Sequence, residues 1–155
     1  MIARELAEPY PHVTTDDRAV DAVRLVAERN LAALLVLTRD NTPYAVVPGS
    51  QLVRQLVPEY VMEDPLLAAV IDDRHAGTLT EDLAGKSVAE WIQQRTFKPA
   101  FVGPEAGALQ IAALMARTRV PLVAVIDRDD DGRRLAGVVT AASLMRHLLD
   151  VGGQE

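Results

Sequence analysis

Val13 to Leu37 reads V-T-T-D-D-R-A-V-D-A-V-R-L-V-A-E-R-N-L-A-A-L-L-V-L, and Val102 to Ile126 repeats its design at a constant offset of 89 (102 − 13 = 89). Apolar residues recur in step: Val20 with Leu109, Leu25 with Leu114, Val26 with Met115, Leu31 with Val120, Val36 with Val125. A core pattern used twice is a tandem repeat, and self-similarity outranks any single motif.

The register resumes after three extra residues, at an offset of 92 (137 − 45 = 92), pairing Ala45-Val46-Val47-Pro48 with Gly137-Val138-Val139-Thr140 and Leu52 with Leu144. The extra residues fall in an acidic stretch, Asp127 to Arg134, expected to be a turn. A weaker echo precedes each unit, Ile2 to Leu6 against Val88 to Ile92, and predicts a short helical lead-in to each copy.

Within the first copy, Asp16 and Asp17 are expected to cap a helix carrying Val20, Val23, Leu25 and Val26, ended by Asn30. Leu31 to Leu37 is a seven-residue apolar run, too short for a helix of its own and expected to be a buried strand. Arg39 to Pro43 has turn chemistry, Tyr44 to Val47 completes a hairpin, and Gly49-Ser50 opens a helix through Leu52 and Leu56. The second copy follows suit: Pro104 and Glu105 near a helix start, apolar Leu109 to Met115, strands Val120 to Ile126 and Leu135 to Val139, and helix Ala141 to Leu149. Each half reads β-α-β-β-α. The fold class is α+β with internal pseudo-two-fold symmetry. Residues 1–57 form the first repeat, 58–85 an insertion, 86–150 the second repeat and 151–155 a flexible tail. The insertion is expected to be partly helical over Tyr60 to Ile71.

With 155 residues, 49% hydrophobic and 25% charged, the chain has the composition of a soluble globular protein. Neither a membrane span nor a signal peptide is legible, so a cytoplasmic location is expected. The absence of cysteine excludes disulfides and thiolate chemistry. A net charge of −6 with scattered arginines argues against binding a nucleic acid duplex.

The tandem unit, with Gly137-Val138-Val139-Thr140-Ala141-Ala142-Ser143-Leu144 leading from last strand to last helix, resembles the cystathionine-β-synthase (CBS) domain pair, or Bateman module. Val120-Pro121-Leu122 into Val125-Ile126-Asp127 is similar to that family's passage from helix to strand. The resemblance implies a regulatory module with two related clefts, a homodimer or an unidentified protein partner, and no enzyme. AMP, ADP, ATP or S-adenosylmethionine is the ligand it implies. Carried over by position, Thr140 and Ser143 mark one candidate pocket, with Ala100, Val102 and Leu122 beside them and Arg146 at its mouth. The second, read as degenerate, holds Val13, Ala33, Pro48, Gln51 and Arg54.

The family's aspartate is Ser143 here. Losing that charge-assisted acceptor costs about 1.5 to 3 kcal/mol, a tenfold to hundredfold loss of affinity. In the first repeat Ala45, Pro48 and Gln51 stand at the glycine, threonine and aspartate positions, and Pro48 offers neither hydroxyl nor amide hydrogen. Thr140 also suits a helix N-cap, and Arg54 and Arg146 suit solvated helix faces. The alternative function is a structural or dimerisation scaffold with empty clefts.

Asp127-Arg128-Asp129-Asp130-Asp131-Gly132 imitates the opening of a calcium loop, but Val138 replaces the required bidentate glutamate and strands flank it. His12, His75 and His147 have no metal-site spacing. Trp91, Phe101, Tyr10 and Tyr60 are expected to pack in the core or at interfaces.

Overall fold

The computed structural model describes residues 1–64, 66–70, 81, 83–129 and 132–152. Its first half contains β1 (His12–Thr14), α2 (Ala19–Arg29), β2 (Ala33–Leu37), β3 (Pro43–Pro48) and α3 (Gly49–Leu56), after a short α1 (Ala3–Leu6). Short α4 (Glu59–Glu63), α5 (Leu67–Val70) and α6 (Val88–Trp91) lie between the halves. The second half repeats the order with β4 (Phe101–Val102), α7 (Ala108–Thr118), β5 (Leu122–Asp129), β6 (Gly132–Thr140) and α8 (Ala141–Gly152). Each half folds as the expected β-α-β-β-α unit.

Two three-stranded sheets result, ordered β1-β2-β3 and β4-β5-β6. In each, the central strand runs parallel to the first and antiparallel to the third. All five residues of β2 are buried, which is why the sequence shows a continuous apolar run where an alternating strand would show every second residue. One face of each sheet carries its helices: Val13, Leu34, Val36 and Leu52 in the first half, Val102, Val123, Val125 and Leu144 in the second. The other faces meet each other through Leu35, Leu37 and Val46 against Leu122 and Val138. A fully buried aliphatic side chain contributes about 1.5 to 3 kcal/mol. This shared layer is therefore worth on the order of 10 kcal/mol, comparable with the net stability of a whole domain, and it welds the halves together.

The lead-in helices cross over. Ala3 and Leu6 of α1 pack in the second-half core, whereas Val88 and Trp91 of α6, with Ile92 just after it, pack in the first-half core. Packing thus divides the chain differently from the repeat: each lead-in covers the sheet of the other copy. Ser87 caps α6 with a reciprocal box, its hydroxyl accepting from Glu90 N while Glu90 accepts from Ser87 N.

Two local expectations are corrected. Arg18, without a side-chain cap, precedes α2; Asp17 instead accepts from Thr14 N at 2.8 Å, and Asp16 is ion-paired with Arg39. The stretch Asp127 to Arg134 is mainly hairpin arm, because Asp127, Arg128 and Asp129 pair with Arg134, Arg133 and Gly132; Asp130 and Asp131 lie outside the described residues. Between the halves, α4 and α5 fall within the stretch expected to be partly helical; Tyr60, Met62 and Leu66 are exposed, and Ile71 lies outside the described residues. Among the described residues no helix is long and apolar enough to cross a membrane.

Helices α2 and α7 end identically. Asn30 (φ 51, ψ 48) and Arg119 (φ 56, ψ 41) are both left-handed, each sending its N–H back to the last turn. Asparagine tolerates this conformation. For arginine it costs about 1 to 2 kcal/mol.

Candidate functional site

Both signature stretches pass from strand directly into helix, and in both the first helical residue sends its N–H to the residue before the adjoining strand: Gly49 to Ala32 O and Ala141 to Pro121 O, each at 2.9 Å. The junctions share a backbone and differ in chemistry. Pro48 caps α3 without a side-chain bond. Thr140 Oγ1 accepts from Ser143 N at 3.1 Å, an N-cap for α8.

The same Thr140 hydroxyl donates to Glu8 Oε1 at 3.3 Å. Glu8 is held there because its backbone pairs with Val138 in both directions, 2.9 Å each way. This crossing explains the signature glycine: a Cβ on Gly137 would stand 3.0 Å from Glu8 O and 3.1 Å from Ala7 Cβ.

The structure does not gather the other residues expected beside Thr140. Ala100 and Val102 are buried in the helix-side core, Leu122 belongs to the layer between the sheets, and Arg146 is exposed on α8. The expectation placed residues of one repeat around one pocket, whereas strand pairing turns their side chains into different layers.

A cleft is built at the first signature. Val46, Pro48 and Gln51 form one wall of a cavity of about 300 Å³. Thr96, Phe97 and Lys98, ahead of β4, form a second wall, joined to the first where Val46 N donates to Phe97 O at 3.1 Å. Thr118, Arg119 and Val120, the turn entering β5, close it. The signature of one repeat therefore faces the strand entries of the other. Of the residues expected here, Pro48 and Gln51 line the cavity; Val13 is core, Ala33 lies between the sheets, and Arg54 is exposed on α3.

The lining has a clear chemical bias. Among the described residues Lys98 and Arg119 supply two cations, Gln51 an amide, Thr96 and Thr118 hydroxyls, and Pro48 and Val120 apolar surface, with no carboxylate. A guanidinium and an ammonium over an apolar slot suit an anion attached to a flat ring. Sequence reasoning missed Lys98 and Arg119. The available signal was Arg119 at the repeat position of Asn30, where a left-handed helix end favours asparagine or glycine.

Two further cavities lie around the start of the second repeat. One of about 380 Å³ is lined by Pro43, Arg95, Lys98 and Phe101 among others. Another of about 590 Å³ has Arg4, Arg128 and Arg133, the carboxylates Glu105 and Asp127, and Phe101 in its wall. Of the aromatics expected in the core or at interfaces, Trp91 is core, while Phe101 is 48% exposed. Among the described residues no group of histidine and carboxylate side chains is placed to hold a metal.

A CBS domain family model matches residues 92–150. The crystal structure of a CBS domain-containing protein of unknown function from Kribbella flavida DSM 17836 is 38% identical, with 96% of this chain and 99% of that chain covered and a TM-score of 0.81. CBSX2 in complex with AMP, a CBS-pair protein from Arabidopsis thaliana, is 20% identical over 97% of this chain and 98% of that one, with a TM-score of 0.67. The CBS domain of a bacterial CNNM/CorC family Mg2+ transporter in complex with ATP is 18% identical over 96% and 87%, with a TM-score of 0.65. At these lower identities the likeness is one of fold. No curated protein matches the chain.

Proposed function

Because the chain belongs to the CBS-domain family, we propose that it is a regulatory module that senses an adenosine-type nucleotide in the cleft between Gln51 and Arg119. The observation that carries this reading is the cleft's charge: among the described residues, two cations and no carboxylate around about 300 Å³ in a chain of net charge −6. That volume is at the small end of ligand pockets, which run from about 300 to 1,000 Å³. Two structures of this fold are complexes with AMP and with ATP. In this reading Pro48 and Val120 enclose the base, Gln51 bonds the ribose, and Lys98 with Arg119 meet the phosphates. Phosphate-bearing ligands are favoured over S-adenosylmethionine, whose sulfonium would face two cations.

The signature at Thr140 is the weaker candidate, because Glu8 already takes the threonine hydroxyl and its carboxylate repels phosphate. The module signals through a homodimer or another protein. Exposed Leu109 on α7 and Met145, Leu149 and Val151 on α8 supply apolar surface for a self-complementary contact.

Thermal unfolding against millimolar AMP, ADP, ATP and S-adenosylmethionine tests the reading. A ligand at 100 times its Kd adds about 2.7 kcal/mol, a rise of about 5 to 10 °C for a chain of this size. ATP should give that rise, and Arg119→Asn, which keeps a residue tolerant of the left-handed turn, should abolish it. Flat melting curves with a persistent dimer would favour the scaffold reading, in which Glu8 on Thr140 marks a cleft given over to structure.

A further inference from the structure

The two repeats differ at one strand edge. In the first, β1 lies beside Leu35, Val36 and Leu37, to the end of β2, and Thr15 N donates to Leu37 O at 3.0 Å. In the second, β4 lies beside Ala124 and Val125 only, whereas β5 runs on to Asp129. The repeat equivalent of Thr15 is Pro104 (104 − 15 = 89), and that of Leu37 is Ile126 (126 − 37 = 89). Proline has no N–H, so the bond that closes the edge at Leu37 has no counterpart at Ile126. Residues 126–129 pair with β6 on one side and, among the described residues, with no strand on the other.

The direction of the backbone along β5 follows from a bond it already makes. Ala124 N donates to Ala100 O at 2.9 Å, and residues two apart in a strand turn their N–H and C=O to the same side. Ile126 and Arg128 therefore present backbone groups to the β4 side, and with Gly103 and Pro104 they line the cavity of about 590 Å³. Unpaired edge groups are a template for another strand. Three arginines share the lining: Arg4, whose N donates to Pro104 O at 2.8 Å, and Arg128 and Arg133, directly opposite each other across β5 and β6. Like charges so opposed destabilise a sheet. Glu105 and Asp127 also line the cavity, but among the described residues no ion pair joins them to these arginines.

We propose that this edge takes an extended, carboxylate-bearing segment of a partner protein as an added strand. The backbone of that segment bonds Ile126 and Arg128, continuing the line of β4. Phe101 is in register with Ala124, and positions 124, 126 and 128 share a face, so one face of the added strand borders Phe101, Arg128 and Arg133. Acidic side chains there relieve the opposed arginines. A second copy of this chain fits poorly: pairing two such edges about a two-fold axis brings both arginine pairs together, the arrangement by which charged edges resist self-association. The surface is separate from the nucleotide cleft and does not depend on it.

Fluorescence anisotropy of the full chain with a labelled six-residue peptide of alternating valine and glutamate tests this, beside the valine–lysine peptide. Two further valine–glutamate peptides carry backbone N-methyl groups, one on every valine and the other on every glutamate. The glutamate peptide should bind about tenfold or more tighter than the lysine peptide. One methylation pattern should abolish binding and the other spare it, because only alternate N–H groups of an added strand face the edge. Pro104→Thr, which copies Thr15 and restores a donor for Ile126 O, should weaken the peptide about fivefold without lowering the melting temperature. Arg128→Ala should weaken it about tenfold to a hundredfold, with Arg133→Ala read in its place if that variant unfolds, and ATP affinity should stay within twofold throughout. No binding of the glutamate peptide, equal binding of the lysine peptide, equal effects of the two methylation patterns, or indifference to both Pro104→Thr and the arginine variants overturns the proposal. Self-association that the peptide displaces overturns it in favour of a second copy.

Discussion

The Thr140 hydroxyl donates to the Glu8 carboxylate at 3.3 Å, across 132 positions of chain. That bond ties the N-terminal segment to the signature of the last repeat. It makes the two strand-to-helix signatures chemically unlike: Thr140 is met by a carboxylate, whereas Pro48 shares a cavity with Lys98 and Arg119.

Thr140→Ala removes both the tie and the N-cap to Ser143 N. A lost threonine cap costs about 1 kcal/mol, so urea unfolding should show a loss of that size with nucleotide affinity unchanged. Glu8→Gln keeps an acceptor for the hydroxyl and should stay within about 0.5 kcal/mol of wild type.

Gly137→Ala should destabilise by about 1 to 3 kcal/mol. The added Cβ meets backbone, Glu8 O at 3.0 Å and Glu8 N at 3.2 Å, which cannot yield as a side-chain tip would. The equivalent first-repeat position already holds Ala45, so Ala45→Gly creates no relief. Calorimetry should show a lower Tm for Gly137→Ala by roughly 2 to 4 °C per kcal/mol.

Tyr10 anchors the edge of β2 just ahead of its pairing with β1. Its hydroxyl donates to Ala33 O at 3.1 Å and accepts from Ala33 N at 3.4 Å. Burial pushes the Tyr10 phenol above its ordinary value of 10.0. The unfolded chain therefore loses this proton first as pH rises, and stability present below about pH 10 is lost as pH climbs through the folded value. Tyr10→Phe should cost about 1 kcal/mol at neutral pH and flatten that alkaline decline, read from denaturation midpoints between neutral and strongly alkaline pH.

The apolar face of α8 should be the self-association surface. Leu149 is 75% exposed, so Leu149→Glu places charge at that contact without disturbing the core. Sedimentation should show a dimer for wild type and a monomer for the variant at the same concentration, with the melting temperature of the monomer unchanged by nucleotide-free dilution.

The fold was legible because its evidence is local and doubled. Leu31 to Leu37 and Val120 to Ile126 each announce a buried strand, and the second confirms the first. The clefts were less so, because they are assembled between repeats. Pro48 and Gln51 were identified by position, but nothing in the neighbouring sequence says that Lys98 and Arg119 stand opposite them. Glu8 was invisible for the same reason: the lead-in precedes the first repeat in sequence and packs on the second in space. Ala100 and Val102 pack on the helix side of their sheet, Val102 also lining the cavity of about 590 Å³, while Leu122 faces the other sheet; neighbours in sequence position are thus divided between layers.

Equilibrium binding of a fluorescent ATP analogue to wild type, Arg119→Asn and Thr140→Ala tests the central claim most directly. Losing a charged hydrogen-bond partner costs about 1.5 to 3 kcal/mol, so Arg119→Asn should weaken binding by about tenfold to a hundredfold, and Thr140→Ala should stay within twofold of wild type. The reverse pattern, with Thr140→Ala abolishing binding and Arg119→Asn sparing it, would place the ligand in the other cleft and contradict the account.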